Sequence, residues 1–467
     1  MRNRGSGMLA LRMKHILRST LAAILALQAG AVAAGRLPEA SGLDLRQVIS
    51  GAKDRVFPAV VFIKCLAENY DGGRRITQEV SGSGVLISAE GELITNCHVV
   101  DKAVQVRCLL ADGRAFEASV VGRDQDTDLA LVKLKVGKDE KPIPFAQLGT
   151  SAGLKEGDIV MAMGAPWGLS RSVSLGILSC TRRFLPEASE YSLWLQTDAS
   201  ISPGNSGGPL VDTEGRVIGL NTRGVLQGGD MGFAIPADTI AQVLPELRQG
   251  GKVDWSWTGL QLQPIRDFHR NIYFEGTEGV IVADVDSDSP ARKAGFQPRD
   301  RILKVNGRPV TAMVEEDLPA VRLMLALLPK DKPADFEVLR GEKKQALAMV
   351  PTAKGKVEGD LLDCPRWDLT VKSINQFDTP DLFFSRKQGV FVHGLKYPGN
   401  AAAAGLQNRD IILKIDGREI TSLDDVKEIH GDALKNLETR HRMVMVVLRN
   451  GLMKQIVLDF SRDFAKE

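Results

Sequence analysis

The chain has 467 residues, of which 43% are hydrophobic and 25% charged, and its formal net charge is +2. An apolar fraction of this size excludes a collagen-like or wholly disordered chain, and the near-neutral total gives no indication of nucleic-acid binding. At roughly 100–200 residues per domain, the length predicts about three domains.

The net charge hides an asymmetry at the N-terminus. Residues 1–34 hold five basic residues and no acidic one, which leaves 55 basic against 58 acidic residues in the rest of the chain. The bases precede an apolar run from Leu21 to Ala34 that ends in Ala-Val-Ala-Ala. This pattern predicts a signal peptide over residues 1–34, and therefore a periplasmic, cell-envelope or extracellular protein. An uncleaved anchor is the alternative, although an ordinary membrane-spanning helix needs roughly 20 apolar residues.

The five cysteines indicate neither a zinc site nor a disulfide-rich fold, because their number is odd and no C-x-x-C motif occurs. One disulfide bridge is an alternative, since the protein is expected to be exported. Cys65, Cys97 and Cys108 are expected to be buried as small apolar residues. We expect no metal and no cofactor. Asp124-x-Asp126-x-Asp128 imitates a calcium loop but lacks its glycine and glutamate, and no phosphate-binding G-x-x-x-x-G-K-[ST] motif occurs.

A helix is predicted over residues 43–55, and short β-like runs separated by Gly, Asp and Asn then continue to about residue 236. Many short strands with turns between them favour an antiparallel sandwich or barrel. The predicted strands include residues 59–65, 84–87, 104–110, 129–134, 159–163, 173–178 and 217–221. A helix closes this region, with Asp238 as its predicted N-cap, an apolar face of Ile240, Val243, Leu244 and Leu247, and Gly250-Gly251 at its end.

The rest of the chain contains an internal duplication. Residues 289–311 align without gaps to residues 399–421, with 12 of the 23 positions identical, and Gly279-Val280 matches Gly389-Val390 at the same offset of 110. A period of this length indicates a duplicated domain rather than a solenoid repeat. Each copy is predicted to run strand, short helix and strand, followed by a turn at Asn306-Gly307 or Asp416-Gly417.

Three phrases of the first domain carry residues typical of acyl transfer by serine. His98 lies in Thr95–Val100, Asp128 in Asp126–Val132, and Ser206 in the glycine-rich segment Asp198–Leu210. Such chemistry needs a base for the hydroxyl proton, a carboxylate that orients the base, and backbone N–H groups for the oxyanion. The order His, Asp, Ser is that of chymotrypsin.

These phrases resemble the HtrA (Deg) family of trypsin-like serine proteases, and the resemblance extends from about Val48 to Phe460. Supporting phrases are Gly82–Val85, Gly164–Gly168 and Gly232–Pro236. The resemblance implies a mostly β protein, with a chymotrypsin-like double β-barrel followed by two α+β PDZ domains. The expected bounds are residues 45–250 for the protease domain, 254–352 for the first PDZ domain and 363–461 for the second.

The resemblance also implies roles for individual residues. His98 is the general base, Asp128 orients it, and Ser206 is the nucleophile. The N–H groups of Gly204 and Ser206 form the oxyanion hole, with Asn205 between them. The substrate pocket maps onto Ile201 and the loop 221–230, here Asn221, Thr222 and Arg223, which implies small aliphatic residues at the cleaved position.

The two repeats differ where the resemblance places the carboxylate-binding loop of a PDZ domain. The first has Trp257, Thr258, Gly259 and Leu260, which favours a working peptide groove. In the second, Asp368 replaces the glycine and puts a negative charge where a carboxylate would dock. We therefore expect the second module to be a scaffold or assembly element. The segment 314–332 is expected to be a core helix, with an oligomer contact as the alternative.

The family assembles as trimers or multiples of trimers, so a homo-oligomer is expected, with no nucleic-acid partner. The predicted loop 69–78 is short, unlike the long loop by which some members block a neighbour's active site. The leading hypothesis is an exported serine endopeptidase that cleaves unfolded or damaged proteins and binds peptide ends through its PDZ modules. The alternatives are a non-proteolytic chaperone or scaffold, and a regulatory protease dedicated to one substrate.

Overall fold

The structure, a computed structural model, describes residues 44–138, 140–166, 171–185, 189–225 and 231–464, without the side chains of residues 223–225. The predicted signal peptide lies outside the described residues. Among those described, no helix is both long and apolar enough to cross a lipid bilayer.

The first half of the described chain forms two closed six-stranded barrels. Helix α1 (Leu45–Val56) precedes them, close to its predicted bounds. The first barrel comprises β1 (Val60–Asp71), β2 (Arg74–Leu86), β3 (Glu92–Asn96), β4 (Ala103–Leu109), β5 (Ala115–Asp124) and β6 (Leu129–Leu134), with helix α2 (Cys97–Val100) after β3. The second comprises β7 (Ile159–Gly164), β8 (Ser172–Phe184), β9 (Leu193–Thr197), β10 (Pro209–Val211), β11 (Val217–Val225) and β12 (Met231–Pro236).

Both barrels have the same topology. The strand order is β1-β2-β3-β6-β5-β4 in the first and β7-β8-β9-β12-β11-β10 in the second, and every pairing within the barrels is antiparallel. Both barrels carry fully buried apolar side chains, among them Ile63 and Leu131 in the first and Leu178 and Leu210 in the second. Leu178 and Leu210 belong to the hydrophobic core of the second barrel. The prediction of a double β-barrel is confirmed.

Helix α3 (Ala237–Gly250) follows the second barrel and packs on strands of both barrels. Its predicted apolar face is buried, and it ends at Gly251 in the left-handed conformation. The predicted N-cap is wrong: Pro236 occupies that position and Asp238 is the second helical residue. The Asp238 carboxylate instead accepts hydrogen bonds from Thr150 Oγ1 (2.8 Å) and the Ser151 N–H (3.2 Å).

The predicted loop 69–78 is a continuous hairpin. Strands β1 and β2 pair as far as Asp71 and Arg74, and only Gly72 and Gly73 form the turn. The period-2 pattern is weak in this polar ribbon, so its strands could not be recognised from the sequence.

The first of the two predicted PDZ domains begins after α3. Its strands are β13 (Ser256–Trp257), β14 (Leu260–Gln263), β15 (Arg266–Asp267), β16 (Ile272–Tyr273), β17 (Val280–Val285), β18 (Arg301–Val305), β19 (Arg308–Pro309), β20 (Ala334–Arg340), β21 (Lys343–Met349) and β22 (Thr352–Ala353), with helices α4 (Pro290–Lys293) and α5 (Leu318–Ala326). Helix α5 buries Leu318, Val321 and Leu325 in the domain core, as expected for a core helix.

The second PDZ domain repeats this plan. It contains β23 (Leu361–Cys364), β24 (Leu369–Ser373), β25 (Val390–Leu395), β26 (Ile411–Ile415), β27 (Arg418–Glu419), β28 (Arg442–Arg449) and β29 (Leu452–Asp459), with helices α6 (Pro380–Ser385), α7 (Asn400–Ala403) and α8 (Leu423–Lys435). The predicted turns lie in both copies at equivalent places, with positive φ at Asn306-Gly307 and Asp416-Gly417.

All five cysteines are described, and each carries a free thiol. Cys65, Cys97 and Cys108 are buried, as predicted. Burial raises the pKa of Cys65 and of Cys108 to about 12, which keeps both thiols protonated and unreactive.

Candidate active site

Asp128 and His98 form a close pair on the first barrel. Helix α2 places His98 directly after β3, and Asp128 lies one residue before β6 with φ +55, a conformation that aspartate tolerates. The His98 Nδ1 atom is 3.0 and 2.9 Å from the two carboxylate oxygens of Asp128. The His98 N–H also donates to Asp128 Oδ1 at 3.1 Å. These contacts fix the ring so that its Nε2 atom is left to exchange a proton with another group.

A threonine on the second barrel completes the surroundings of the carboxylate. Thr222 Oγ1 donates to Asp128 Oδ2 at 2.7 Å. The Asp128 side chain is only 10% exposed, against 46% for that of His98. Three hydrogen-bond contacts therefore fix the carboxylate, while the more exposed imidazole is accessible to a substrate.

Ser206 lies across the cleft on the second barrel. Its Oγ donates to the carbonyl oxygen of Thr222 at 2.8 Å. Within the described chain, no hydrogen bond joins Ser206 Oγ to the His98 ring. A rotation of the hydroxyl away from Thr222 is therefore needed before a proton can pass from serine to histidine, and such bonds often tighten only when substrate is bound.

The loop before Ser206 leaves two N–H groups without a partner. The Asn205 N–H donates to Ser202 O and the Gly208 N–H to Asn205 O, each at 2.9 Å. Neither the Gly204 N–H nor the Ser206 N–H donates to any acceptor in the described residues. Free backbone donors beside a serine hydroxyl are a suitable arrangement for binding a negatively charged oxygen.

The residues expected to line the substrate pocket separate into different positions. Ile201 packs beside the core of the second barrel and remains partly exposed. Asn221 is fully buried and donates to the carbonyls of Met163 (3.2 Å) and Pro209 (3.0 Å), so it joins strands instead of facing a pocket. The Thr222 hydroxyl is hydrogen-bonded to the Asp128 carboxylate. The side chain of Arg223 and residues 226–230 lie outside the described part.

The first PDZ domain has an open strand edge. Strand β14 is the last strand of its sheet, and its outer edge is unpaired among the described residues. Gly259, just before it, has φ +74, and a Cβ there would lie 2.1 Å from Ser289 Cβ. A cavity of about 610 Å³ adjoins this edge, lined by groups that include Trp257, Thr258, Gly259, Leu260, Arg322 and Phe383.

The second PDZ domain has the same edge closed. Its strand β24 pairs with β23, which the chain supplies directly before it. Leu369 pairs with Leu395 as Leu260 pairs with Val285, so Asp368 stands where the first copy has Gly259. Asp368 also has positive φ, and its carboxylate accepts from the Asn400 N–H at 3.0 Å and lies 3.2 Å from Lys396 Nζ. Its charge is thus already neutralised within the domain.

The loop that carries Asp128 also contacts both ends of the first PDZ domain. Trp255 Nε1 donates to Asp124 Oδ1 at 2.9 Å, and burial raises the pKa of that carboxyl to about 6. Lys354 Nζ lies 2.5 Å from Asp126 and donates to the Tyr191 hydroxyl at 2.9 Å. The sequence that imitates a calcium loop therefore joins the protease to its neighbour. Among the described residues, no group of three or more His, Cys, Asp or Glu side chains could hold a metal ion.

Comparison with known proteins identifies the family. Residues 82–220 match the family model of the trypsin-like peptidase domain, and residues 258–349 and 397–438 match models of the PDZ domain. A probable periplasmic serine endoprotease, DegP-like, from Pseudomonas fluorescens is 35% identical over 391 residues, which cover 81% of this chain and 79% of that protein. A protein of the same description from Hahella chejuensis is 31% identical over 482 residues, covering 94% and 97% of the two chains.

Solved structures agree with these relatives. The HtrA-type protease AlgW with a tripeptide superposes with a TM-score of 0.58 at 32% identity, covering 66% of this chain and 97% of that one. A serine endoprotease from Yersinia pestis gives a TM-score of 0.51 at 30% identity, covering 65% of this chain and 97% of that one. The chain belongs to the HtrA family of serine proteases with PDZ domains. It is a periplasmic serine endoprotease.

Thr222→Val tests whether the threonine supports the aspartate. The substitution keeps the shape and removes the donor to Asp128, so kcat/KM for a peptide substrate should fall on the order of 10- to 100-fold, the value of a hydrogen bond to a charged group. Thr150→Val is the matched control, because it also removes a threonine hydroxyl that donates to an aspartate, remote from the site. Equal kcat/KM values for the two variants would contradict the assignment.

Proposed function

We propose that His98, Asp128 and Ser206 are the catalytic residues of an endoprotease that degrades unfolded or damaged proteins. The observation that carries the proposal is the Asp128–His98 pair at 2.9–3.0 Å, joined through Thr222 to the hydroxyl of Ser206. A carboxylate, an oriented imidazole and a serine hydroxyl are the three groups that acyl transfer requires.

The reaction would proceed in two halves. Ser206 Oγ turns from Thr222 O, gives its proton to His98 Nε2 and attacks the carbonyl carbon of the peptide bond. The oxygen that gains negative charge is bound by the N–H groups of Gly204 and Ser206. His98 then protonates the leaving amine, and a water molecule, deprotonated by His98, hydrolyses the acyl-enzyme. The Asp128 carboxylate stabilises the imidazolium throughout.

The first PDZ domain is proposed to bind the C-terminal end of a peptide along β14. Its unpaired strand edge offers main-chain hydrogen bonds, and the loop of Trp257, Thr258, Gly259 and Leu260 lies at the end of this edge, where the carboxylate of a bound peptide would dock. The adjoining cavity of about 610 Å³ has room for side chains of such a peptide.

The second PDZ domain is proposed to act as a scaffold. Strand β23 already occupies the edge at which a peptide strand would add. The Asp368 carboxylate takes the place of a bound carboxylate in the loop, since it already accepts from the Asn400 N–H and pairs with Lys396. Membership of the HtrA family supports assembly into trimers or multiples of trimers, which light scattering of the purified protein would measure.

Two other functions lead to different experimental results. A non-proteolytic chaperone would bind misfolded protein without cleaving it, and the formed Asp128–His98 pair speaks against this function. A dedicated regulatory protease would cleave one partner and leave casein intact.

Casein turnover by wild type and Ser206→Ala tests the proposed function. We expect the wild type to degrade casein and reduced, carboxymethylated ribonuclease but not native ribonuclease, because an extended chain is needed in the cleft. Ser206→Ala should lower the rate by about 10⁶-fold, as loss of a serine nucleophile does elsewhere. Casein cleavage that persists in a folded Ser206→Ala protein would refute the proposed roles.

Exchanging one residue pair between the PDZ domains tests the peptide groove. Gly259→Asp alone would place its Cβ against Ser289, whereas the second domain pairs Asp368 with Gly399 at the equivalent positions. The double variant Gly259→Asp/Ser289→Gly should therefore fold and lose at least 10-fold in affinity for a C-terminal peptide, measured by fluorescence anisotropy, because a buried carboxylate repels the peptide's own.

Ser289→Gly alone is the control for this exchange. Ser289 caps α4 through its Oγ, and glycine at an N-cap costs only a few tenths of a kcal/mol, so peptide affinity should stay near that of the wild type. Unchanged affinity in the double variant would show that the carboxylate does not bind at this loop.

A further inference from the structure

Ser83 is a fully buried residue of β2 whose polar atoms all have partners near the active site. Its N–H donates to the carbonyl oxygen of Ser206 at 2.8 Å, and its Oγ donates to the carbonyl oxygen of Gly204 at 2.6 Å. Ser83 Oγ also accepts from the Ala165 N–H at 2.8 Å. One side chain and its backbone thus hold both residues whose N–H groups are free.

These contacts cross between the barrels. Ser83 belongs to the first barrel, which also carries the Asp128–His98 pair, whereas Gly204, Ser206 and Ala165 belong to the second domain half. A carbonyl held at a set position fixes the plane of its peptide, here Gly204–Asn205 and Ser206–Gly207, and these planes flank the ones that carry the Gly204 and Ser206 N–H groups. Ser83 therefore determines how the loop of the second barrel is oriented relative to His98 on the first.

The approach of the two segments is close. Thr95 Oγ1 donates to the Ser83 carbonyl at 2.7 Å, and this holds the backbone of β2 in place. Gly207 has φ +84, and a Cβ at this position would lie 2.1 Å from Ser83 O and 2.3 Å from Thr95 Oγ1. The residue after the nucleophile must be glycine for the loop to come within hydrogen-bonding distance of Ser83.

We propose that Ser83 is a positioning residue, which aligns the oxyanion-binding N–H groups of Gly204 and Ser206 with His98. The inference rests on the proposed catalytic roles of these residues. Without the Ser83 hydroxyl, the Gly204 carbonyl and the Ala165 N–H both lose their partner. The Gly204–Asn205 peptide plane, which lies between the planes of the two oxyanion-binding N–H groups, is then no longer held at its carbonyl. The effect should then concern the tetrahedral state, in which the oxyanion exists, and not the binding of the substrate in its ground state.

Ser83→Ala measures this effect directly. We expect kcat/KM for a chromogenic peptide to fall about 10- to 100-fold with KM changed less than about twofold, a loss somewhat below that of deleting one oxyanion donor. The inhibition constant of a peptide boronic acid, which forms a tetrahedral adduct with the serine, should rise by the same factor. A boronic acid affinity and kcat/KM equal to those of the wild type would overturn the proposal, and so would a rise in KM alone.

Two variants serve as references. Ser88→Ala removes a serine hydroxyl that accepts from the Glu92 N–H at the β2–β3 turn, and it should behave as the wild type. Ser83→Cys keeps nearly the same size with a weaker donor, so an intermediate loss is expected. If Ser83→Ala does not fold, Ser83→Cys replaces it in the experiment. Wild-type values of kcat/KM and of the inhibition constant for Ser83→Cys would then overturn the proposal.

Ser206→Ala distinguishes a failure of the positioning role of Ser83 from a failure of the proposed catalytic roles. If Ser206→Ala is inactive while Ser83→Ala is normal, only the positioning role fails. If Ser206→Ala remains active, the proposed catalytic roles fail first.

Discussion

The hydrogen bond from Thr222 Oγ1 to Asp128 Oδ2 joins the two barrels at the point where the active site is assembled. Asp128 and His98 come from the first barrel and Ser206 from the second, so the site exists only while the barrels keep their relative position. Thr222 contacts both halves, since its hydroxyl holds the carboxylate and its carbonyl holds the Ser206 hydroxyl. Because the carboxylate is nearly buried, this donor also offsets part of the cost of removing the charge from water.

The two PDZ domains illustrate how one fold can keep its core and change its edge. Both copies retain the same turns and the same central strands, which include the region of high sequence identity. The two copies differ just outside this region. In the second copy β23, which precedes β24 in the chain, pairs with β24. In the first copy β13, which precedes β14, pairs with β22 instead of with β14. A closed edge protects a sheet from adding strands, and an open edge invites them. Fold alone therefore does not assign a peptide site to each copy.

Local patterns were enough to find most of the fold and to propose the three catalytic residues. Strand β6 begins and ends at the predicted residues because its apolar run is bounded by turns, and His98, Asp128 and Ser206 each lie within a short phrase that can be read alone. The role of Thr222 could not be predicted, since its partner is 94 residues away and the contact depends on how the barrels dock. The same holds for Ser83, which is 121 residues from Gly204. The N-cap of α3 was misplaced because Asp238 binds another loop instead of its own helix.

The central claim is that Ser206 is a nucleophile activated by the oriented His98. Labelling the purified protein with a fluorophosphonate, followed by mass spectrometry of its peptides, tests this most directly, since the reagent modifies serine hydroxyls that a neighbouring base activates. The account predicts one label per chain, carried by Ser206 and lost in His98→Ala. A label on another residue, or equal labelling of a folded His98→Ala protein, would contradict it.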